Sequence, residues 1–178
     1  MDCDVNNNLQ EIYLEIKNTL LLARKQSYSA INNSIVNAYW NVGRIIVEYE
    51  QKGKIRAEYG KAVLQSLCVR LSREFGKGFD IRNLRNMRSF YLSFPNRNAL
   101  RSELTWTHYR LLLRVENPAA RTWYMEEAIS SAWSSRQLER QITTLYYDRM
   151  LASREKQAVS DEANTLIKPL AAENFIKD

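Results

Sequence analysis

The chain has 178 residues, enough for one domain with a buried core, or a domain and a tail. Its 26 Lys and Arg outnumber 20 Asp and Glu, and the resulting +6 suits a polyanionic partner. Two cysteines, Cys3 and Cys68, and one histidine, His108, exclude a disulfide framework and a Cys/His zinc site, and they fit a reducing cytoplasm.

The opening MDCDVNNNLQ is polar and acidic, unlike a signal peptide, and no apolar run approaches membrane-spanning length. No membrane partner is therefore expected. With 5 glycines and 3 prolines, and with Leu, Ala, Arg, Glu and Asn abundant, the composition predicts an all-α chain. Residues 1–8 read as a disordered start, 9–153 as one helical domain and 154–178 as a linker.

Leu9, Ile12, Tyr13, Ile16 and Leu20 share one helical face. A second run, Ile31, Ile35, Ala38, Tyr39, Val42, Ile45, Ile46 and Tyr49, is expected to turn toward the core. The pattern does not decide whether Gln26–Ser29 interrupts a single helix. Asn32, Asn33, Asn37 and Asn41 are expected at the surface, Gly43 marks a close helix crossing, and 51–58 reads as a charged loop.

The centre of the chain is residues 60–95. Leu64, Leu67, Cys68, Leu71 and Phe75 form one apolar stripe, and Gly76-Lys77-Gly78 supplies a turn that tolerates positive φ. Asp80 stands where an N-cap belongs. Ile81, Leu84, Met87, Tyr91 and Phe94 make the next stripe, which Pro95 ends. Arg82, Arg85, Asn86 and Ser89 fall on the opposite side, with Arg88 at its margin. Helix, turn and Arg/Asn-bearing helix make a helix-turn-helix outline. Arg can bridge phosphates or fork onto guanine, and Asn can pair with adenine. From Arg70 to Arg101 there are eight basic residues and two acidic ones, Glu74 and Asp80, whereas a plain solubilising face mixes signs.

Farther on, Thr105 is a plausible cap for a helix over Trp106–Val115, and Asn117-Pro118 opens another. Ser134 with Gln137 forms a capping box before Leu138, Ile142, Leu145 and Tyr146. Phe79-Asp80-Ile81-Arg82-Asn83-Leu84 echoes Trp133-Ser134-Ser135-Arg136-Gln137-Leu138, so either one or two helix-turn-helix units fit. A catalytic constellation is not legible. His108 lacks partner ligands, and Glu15-Ile16-Lys17 and Glu50-Gln51-Lys52 sit in helical or loop text without an upstream carboxylate. Trp40, Trp106, Trp123 and Trp133 read as packing residues.

Several blocks in order carry a resemblance. These are Asn37-Ala38-Tyr39-Trp40-Asn41-Val42-Gly43-Arg44-Ile45-Ile46, Tyr59-Gly60, Leu71-Ser72-Arg73-Glu74-Phe75 and Gly78-Phe79-Asp80-Ile81-Arg82-Asn83-Leu84. Met87-Arg88-Ser89-Phe90-Tyr91, Leu104-Thr105-Trp106-Thr107-His108-Tyr109, Arg121-Thr122-Trp123-Tyr124 and Trp133 through Ile142 follow. The chain resembles the N-terminal domain of the YhcG-like family, bacterial proteins in which a helical region precedes a PD-(D/E)XK nuclease domain. Thr105 and Asp80 stand where that family more often has serine, and 51–58 match poorly. Phe175-Ile176-Lys177-Asp178 looks like a lead-in to a nuclease domain absent from these residues, so no catalytic residue carries over.

The resemblance implies an accessory module that delivers or orients a nuclease and makes no bonds itself. The expectation is an all-α domain with a helix-turn-helix-like centre, binding duplex or branched DNA. Arg82, Arg85, Asn86 and Arg88 would face the nucleic acid, and Arg70, Arg73, Lys77 and Arg97 would hold phosphates. Arg136 and Arg140 would form a second contact surface. No cofactor, metal or small-molecule substrate is expected, and a homodimer is, because helix-turn-helix proteins pair to read two half-sites. The rival reading is a helical dimerisation or docking module with no DNA contact, built on the N-terminal helices.

Overall fold

A computed structural model describes residues 2–52 and 57–153, with side chains for 8–51 and 63–153. Among them the regular elements are all helical, with two short 3₁₀ turns. The linker expected over 154–178 lies outside the described residues, as do 53–56 of the charged loop expected over 51–58; the rest of that stretch is helical, 51–52 ending one helix and 57–58 beginning the next. The chain divides into two compact units, one through Trp106 and the other from Thr107 on.

The first unit is built on α1, Asp2–Lys52, a single 51-residue helix that runs through Gln26–Ser29 without a break. It takes in residues 2–8, which their polar composition marks as disordered. Helix propagation adds a hydrogen bond for each residue fixed, so the strong turns that follow can carry weak ones. Residues 8–35 are exposed apart from half-buried Asn32, and the buried positions begin with Val36. Val36, Trp40, Gly43 and Val47 recur at helical spacing on the inward face, with Ile46 beside them. Ile31 and Ile45, expected in the core, are 56% and 57% exposed, and Tyr49 and Ala38 also face out. α1 is apolar on more than one side, so periodicity alone does not choose the face.

Gly43 chooses it. A Cβ on this residue would lie 2.0 Å from the carbonyl oxygen of Met87 and 3.1 Å from Tyr91 Cβ, so α3, Ile81–Ser93, crosses α1 at backbone contact. α3 packs far more extensively on α1 than on α2, Ala57–Phe75. It contributes Leu84, Met87 and Phe90, all fully buried. Across the crossing, Trp40 Nε1–H donates to the Phe94 carbonyl at 2.7 Å, and the Trp40 ring meets Tyr91 edge-on. α2 closes the core with Leu64 buried and Leu67, Cys68 and Leu71 half-buried against Ile46, Leu84 and Met87. Phe75, expected on that stripe, is 61% exposed, its ring resting on Phe79.

In the second unit, α4 (Trp106–Leu112) buries His108, Tyr109, Leu111 and Leu112. Asn117 caps α5, Pro118–Ser130, by accepting from the amides of Ala119 and Ala120. Ser134 and Gln137 form the reciprocal capping box of α6, Ser135–Thr143. The helix expected to continue through Leu145 and Tyr146 stops at Thr143. Leu145 adopts a left-handed φ of 51°, and α7, Tyr146–Ala152, starts anew. This change of direction buries Tyr146 and leaves Leu145 at the surface. Tyr124 pins it, its Oη donating to the Gln141 carbonyl and accepting from the Tyr147 amide at 3.0 Å.

Candidate nucleic-acid interface

The arginine face of α3 depends on how the chain reaches that helix. α2 ends before Gly76, whose φ of 89° and ψ of −165° suit glycine, and a 3₁₀ turn over Lys77–Phe79 follows. Asp80 then caps α3, its Oδ1 accepting from the Asn83 amide at 2.8 Å. Asn83 is itself buried. Its Nδ2 donates to the Gly78 carbonyl, and its Oδ1 accepts from Trp106 Nε1 at 3.1 Å. One amide side chain thus fastens the turn before α3 to Trp106, whose ring lies against Tyr39 and Phe90. Sequence reading assigns Asn83 no role beyond its place in the echo of Gln137; its signal is an amide three residues after a cap, in front of a leucine on the apolar stripe.

With that turn fixed, Arg82 and Arg85 are exposed three residues apart on one side of α3. The helix contains no Asp or Glu. Asn86, expected beside them, is half-buried. Arg88 is committed elsewhere: its Nε donates to both carboxylate oxygens of Glu50, at 3.0 and 2.7 Å. It joins α3 to the end of α1, and its place at the margin of the apolar stripe puts it within reach of that helix.

Of the expected phosphate-holding residues, Arg70 and Arg73 are exposed on α2 and with Glu74 line a shallow depression. Lys77 is exposed in the 3₁₀ turn. Arg97 is also exposed, with its Nε donating to Asn37 Oδ1 at 2.9 Å. Asn37 in turn donates to the Asn33 carbonyl and Oδ1, so these two asparagines form a ladder along α1. Arg70 through Arg97 therefore belong to one unit. Arg136 and Arg140 are exposed on α6 in the other, with Glu139 between them ion-paired to Arg114 at 3.0 Å.

The groups that would carry catalysis are placed otherwise. Among the described residues no three of His, Cys, Asp and Glu could together hold a metal ion. Both Glu-x-Lys pieces lie on α1, and Glu50 is occupied by Arg88. His108 is buried, its Nε2–H donating to the Trp133 carbonyl at 3.0 Å. Burial pushes its pKa below 6.5, and that hydrogen bond opposes the shift. No helix among the described residues is long and apolar enough to cross a membrane.

The family described as the DUF1016 N-terminal domain matches residues 15–149 of this chain. The chain belongs to this family. It is similar to "Putative nuclease YhcG" of Escherichia coli (strain K12), at 33% identity over 198 aligned residues. That alignment takes in 92% of this chain and 53% of the relative, so the chain spans about half the length of the curated relative it matches. No solved structure matches it. The YhcG-like N-terminal domain expected from the sequence blocks is thus what the chain is. The family match takes in α2 to α6 whole and leaves out the first turns of α1.

Proposed function

We propose that this domain binds DNA and positions a nuclease on its substrate, the α3 surface being the main point of contact. The observation that carries the reading is the exposed Arg82–Arg85 pair on a helix without a carboxylate, flanked in the same unit by exposed Arg70, Arg73 and Lys77. Like charges this close keep a cost unless a polyanion neutralises them. The turn before α3 is held by Asp80 and Asn83, so the two arginines sit on a rigid element, as a reading helix needs. On this reading α2, the 3₁₀ turn and α3 act as a helix-turn-helix. The similarity to a protein named as a nuclease supports nucleic acid as the polyanion.

The bond-breaking chemistry belongs to the rest of the whole protein, a metal-dependent nuclease of the PD-(D/E)XK type acting in the cytoplasm. Arg136 and Arg140 on α6 add a lesser contact, because Glu139 lies between them. Binding of this domain to labelled duplex, single-stranded and branched DNA, followed by fluorescence anisotropy, tests the proposal. The expected result is binding that Arg82→Ala with Arg85→Ala weakens at least tenfold and that Arg136→Ala with Arg140→Ala weakens less. Absence of binding to all three at low salt would overturn it.

A further inference from the structure

Asparagine suits the middle of a helix poorly, because its side chain competes for backbone hydrogen bonds. α1 nevertheless carries Asn33, Asn37 and Asn41 at four-residue spacing, and the ladder they form ends on a cation. Asn41 Nδ2 donates to the Asn37 carbonyl, and Asn37 Nδ2 donates to the Asn33 carbonyl and Oδ1. The remaining acceptor, Asn37 Oδ1, takes the Nε–H of exposed Arg97 at 2.9 Å. That bond holds one edge of the guanidinium and leaves Nη1 and Nη2 without a partner among the described residues. Arg88 is tied by a carboxylate, which cancels its charge, whereas a neutral amide orients Arg97 and leaves its charge whole. The two stretches that meet here, 26–47 and 81–102, contain no Asp or Glu. Of the carboxylates bordering them, Glu48 and Glu50 are paired to Arg44 and Arg88, Asp80 caps α3, and Glu103 accepts from Ser102.

We propose that the asparagine ladder of α1 holds Arg97 as a second, preoriented anchor for a DNA phosphate, with Asn37 as its positioning residue. The guanidinium fork matches the geometry of a phosphate. A side chain already held in place also loses less freedom when it binds. α3 is about 20 Å long, so Arg82 near its start and Arg97 just past its end meet the DNA at separate points. Two such points fix the orientation of α3 on the nucleic acid. A phosphate contact carries no base information, so Arg97 contributes alike to every duplex sequence.

This rests on the DNA-binding reading and extends it from α3 to α1. The test is anisotropy titration of labelled duplex DNA across a salt series, for the wild type, Asn37→Ala, Arg97→Ala and the two combined. Arg97→Ala should weaken binding about tenfold at low salt and make the slope of log affinity against log salt shallower by about 0.9. Asn37→Ala keeps the charge and loses only the orientation, so it should weaken binding about three- to tenfold at an unchanged slope. Once Arg97 is alanine, the Asn37 substitution should cost nothing further. That coupling separates positioning from a general structural role, which would weaken both backgrounds alike. Alanine is the better helix former, so α1 keeps its helical signal in Asn37→Ala. Wild-type binding by either single variant, or an Asn37→Ala loss that persists without Arg97, would overturn this proposal and leave the Arg82–Arg85 contact standing. A wild type that binds no DNA would overturn both.

Discussion

α3 and α6 begin alike. An aromatic residue, Phe79 or Trp133, precedes a capping side chain, Asp80 or Ser134, and a fully buried leucine, Leu84 or Leu138, lies four residues beyond the cap. Their surroundings differ. α3 lies at backbone contact with a long helix, and its exposed Arg82 and Arg85 have no carboxylate beside them on that helix. α6 packs beside α5 and α7, buries the polar Gln141, and sets Glu139 between its arginines. The pair of helices separates two layers of information: the start of a helix is set by a few adjacent residues, whereas its surface role is set by charges and by distant packing partners.

The harshest way to break the comparison is Gly43→Ala. An alanine there meets the Met87 carbonyl, so α1 and α3 must part. Overpacking of this kind costs roughly 1–3 kcal/mol or more, beyond the ~1 kcal/mol that alanine's helix propensity returns. A urea titration should show a large loss in the first unit, with the near-ultraviolet signals of Trp123 and Trp133 in the second lost only at higher denaturant. Equal losses in both units would argue that Gly43 is not a local contact.

The caps should cost alike. Asp80→Ala and Ser134→Ala each remove a side-chain acceptor from a helix start, for about 1 kcal/mol by the same titration. Ser134→Ala should cost somewhat less, because the bond it removes is the longer one, 3.4 Å against 2.8 Å, and Gln137 still accepts from the backbone amide of residue 134. Either variant matching the wild type would show that the shared start is decorative.

A difference confined to the second unit is its response to acid. His108 is held below 6.5 when folded, so unfolding takes up a proton between the folded and unfolded pKa values. The stability tied to its neutral form is fully present above pH 6.5 and declines as the pH falls toward the folded value. Denaturation midpoints measured from pH 8 to pH 5 should drop, and His108→Gln should flatten that part of the profile. The smallest effect is expected from Arg88→Ala. Its bond to Glu50 is more than one-third exposed on the arginine side, so screening limits the loss to about 1 kcal/mol or less.

What the sequence made legible was local. Asp80, Asn117-Pro118 and the Ser134–Gln137 box mark helix starts, because a cap and its amide are two or three residues apart. Gly43 was also readable, since a lone glycine inside an apolar helix leaves close approach as its main use. The inward face of α1 was not: with apolar residues around more than half the helix, only the position of α3 decides that Trp40 and Val47 go in and Ile45 stays out. Arg88 and Asn83 escaped for the same reason. Glu50 is 38 residues from Arg88, and Trp106 is 23 from Asn83, so no periodicity joins them. Leu145 hides its break because a left-handed leucine has no sequence mark comparable to glycine.

The central proposal is that Arg82 and Arg85 contact DNA. The direct measurement is the affinity of this domain for duplex DNA across a salt series, for the wild type and for Arg82→Ala with Arg85→Ala. Each phosphate contact releases counterions, contributing about 0.9 to the slope of log affinity against log salt. The account predicts a steep fall with salt for the wild type and a slope shallower by about 2 in a variant whose helical signal is unchanged. An identical affinity and slope in the folded variant would contradict it.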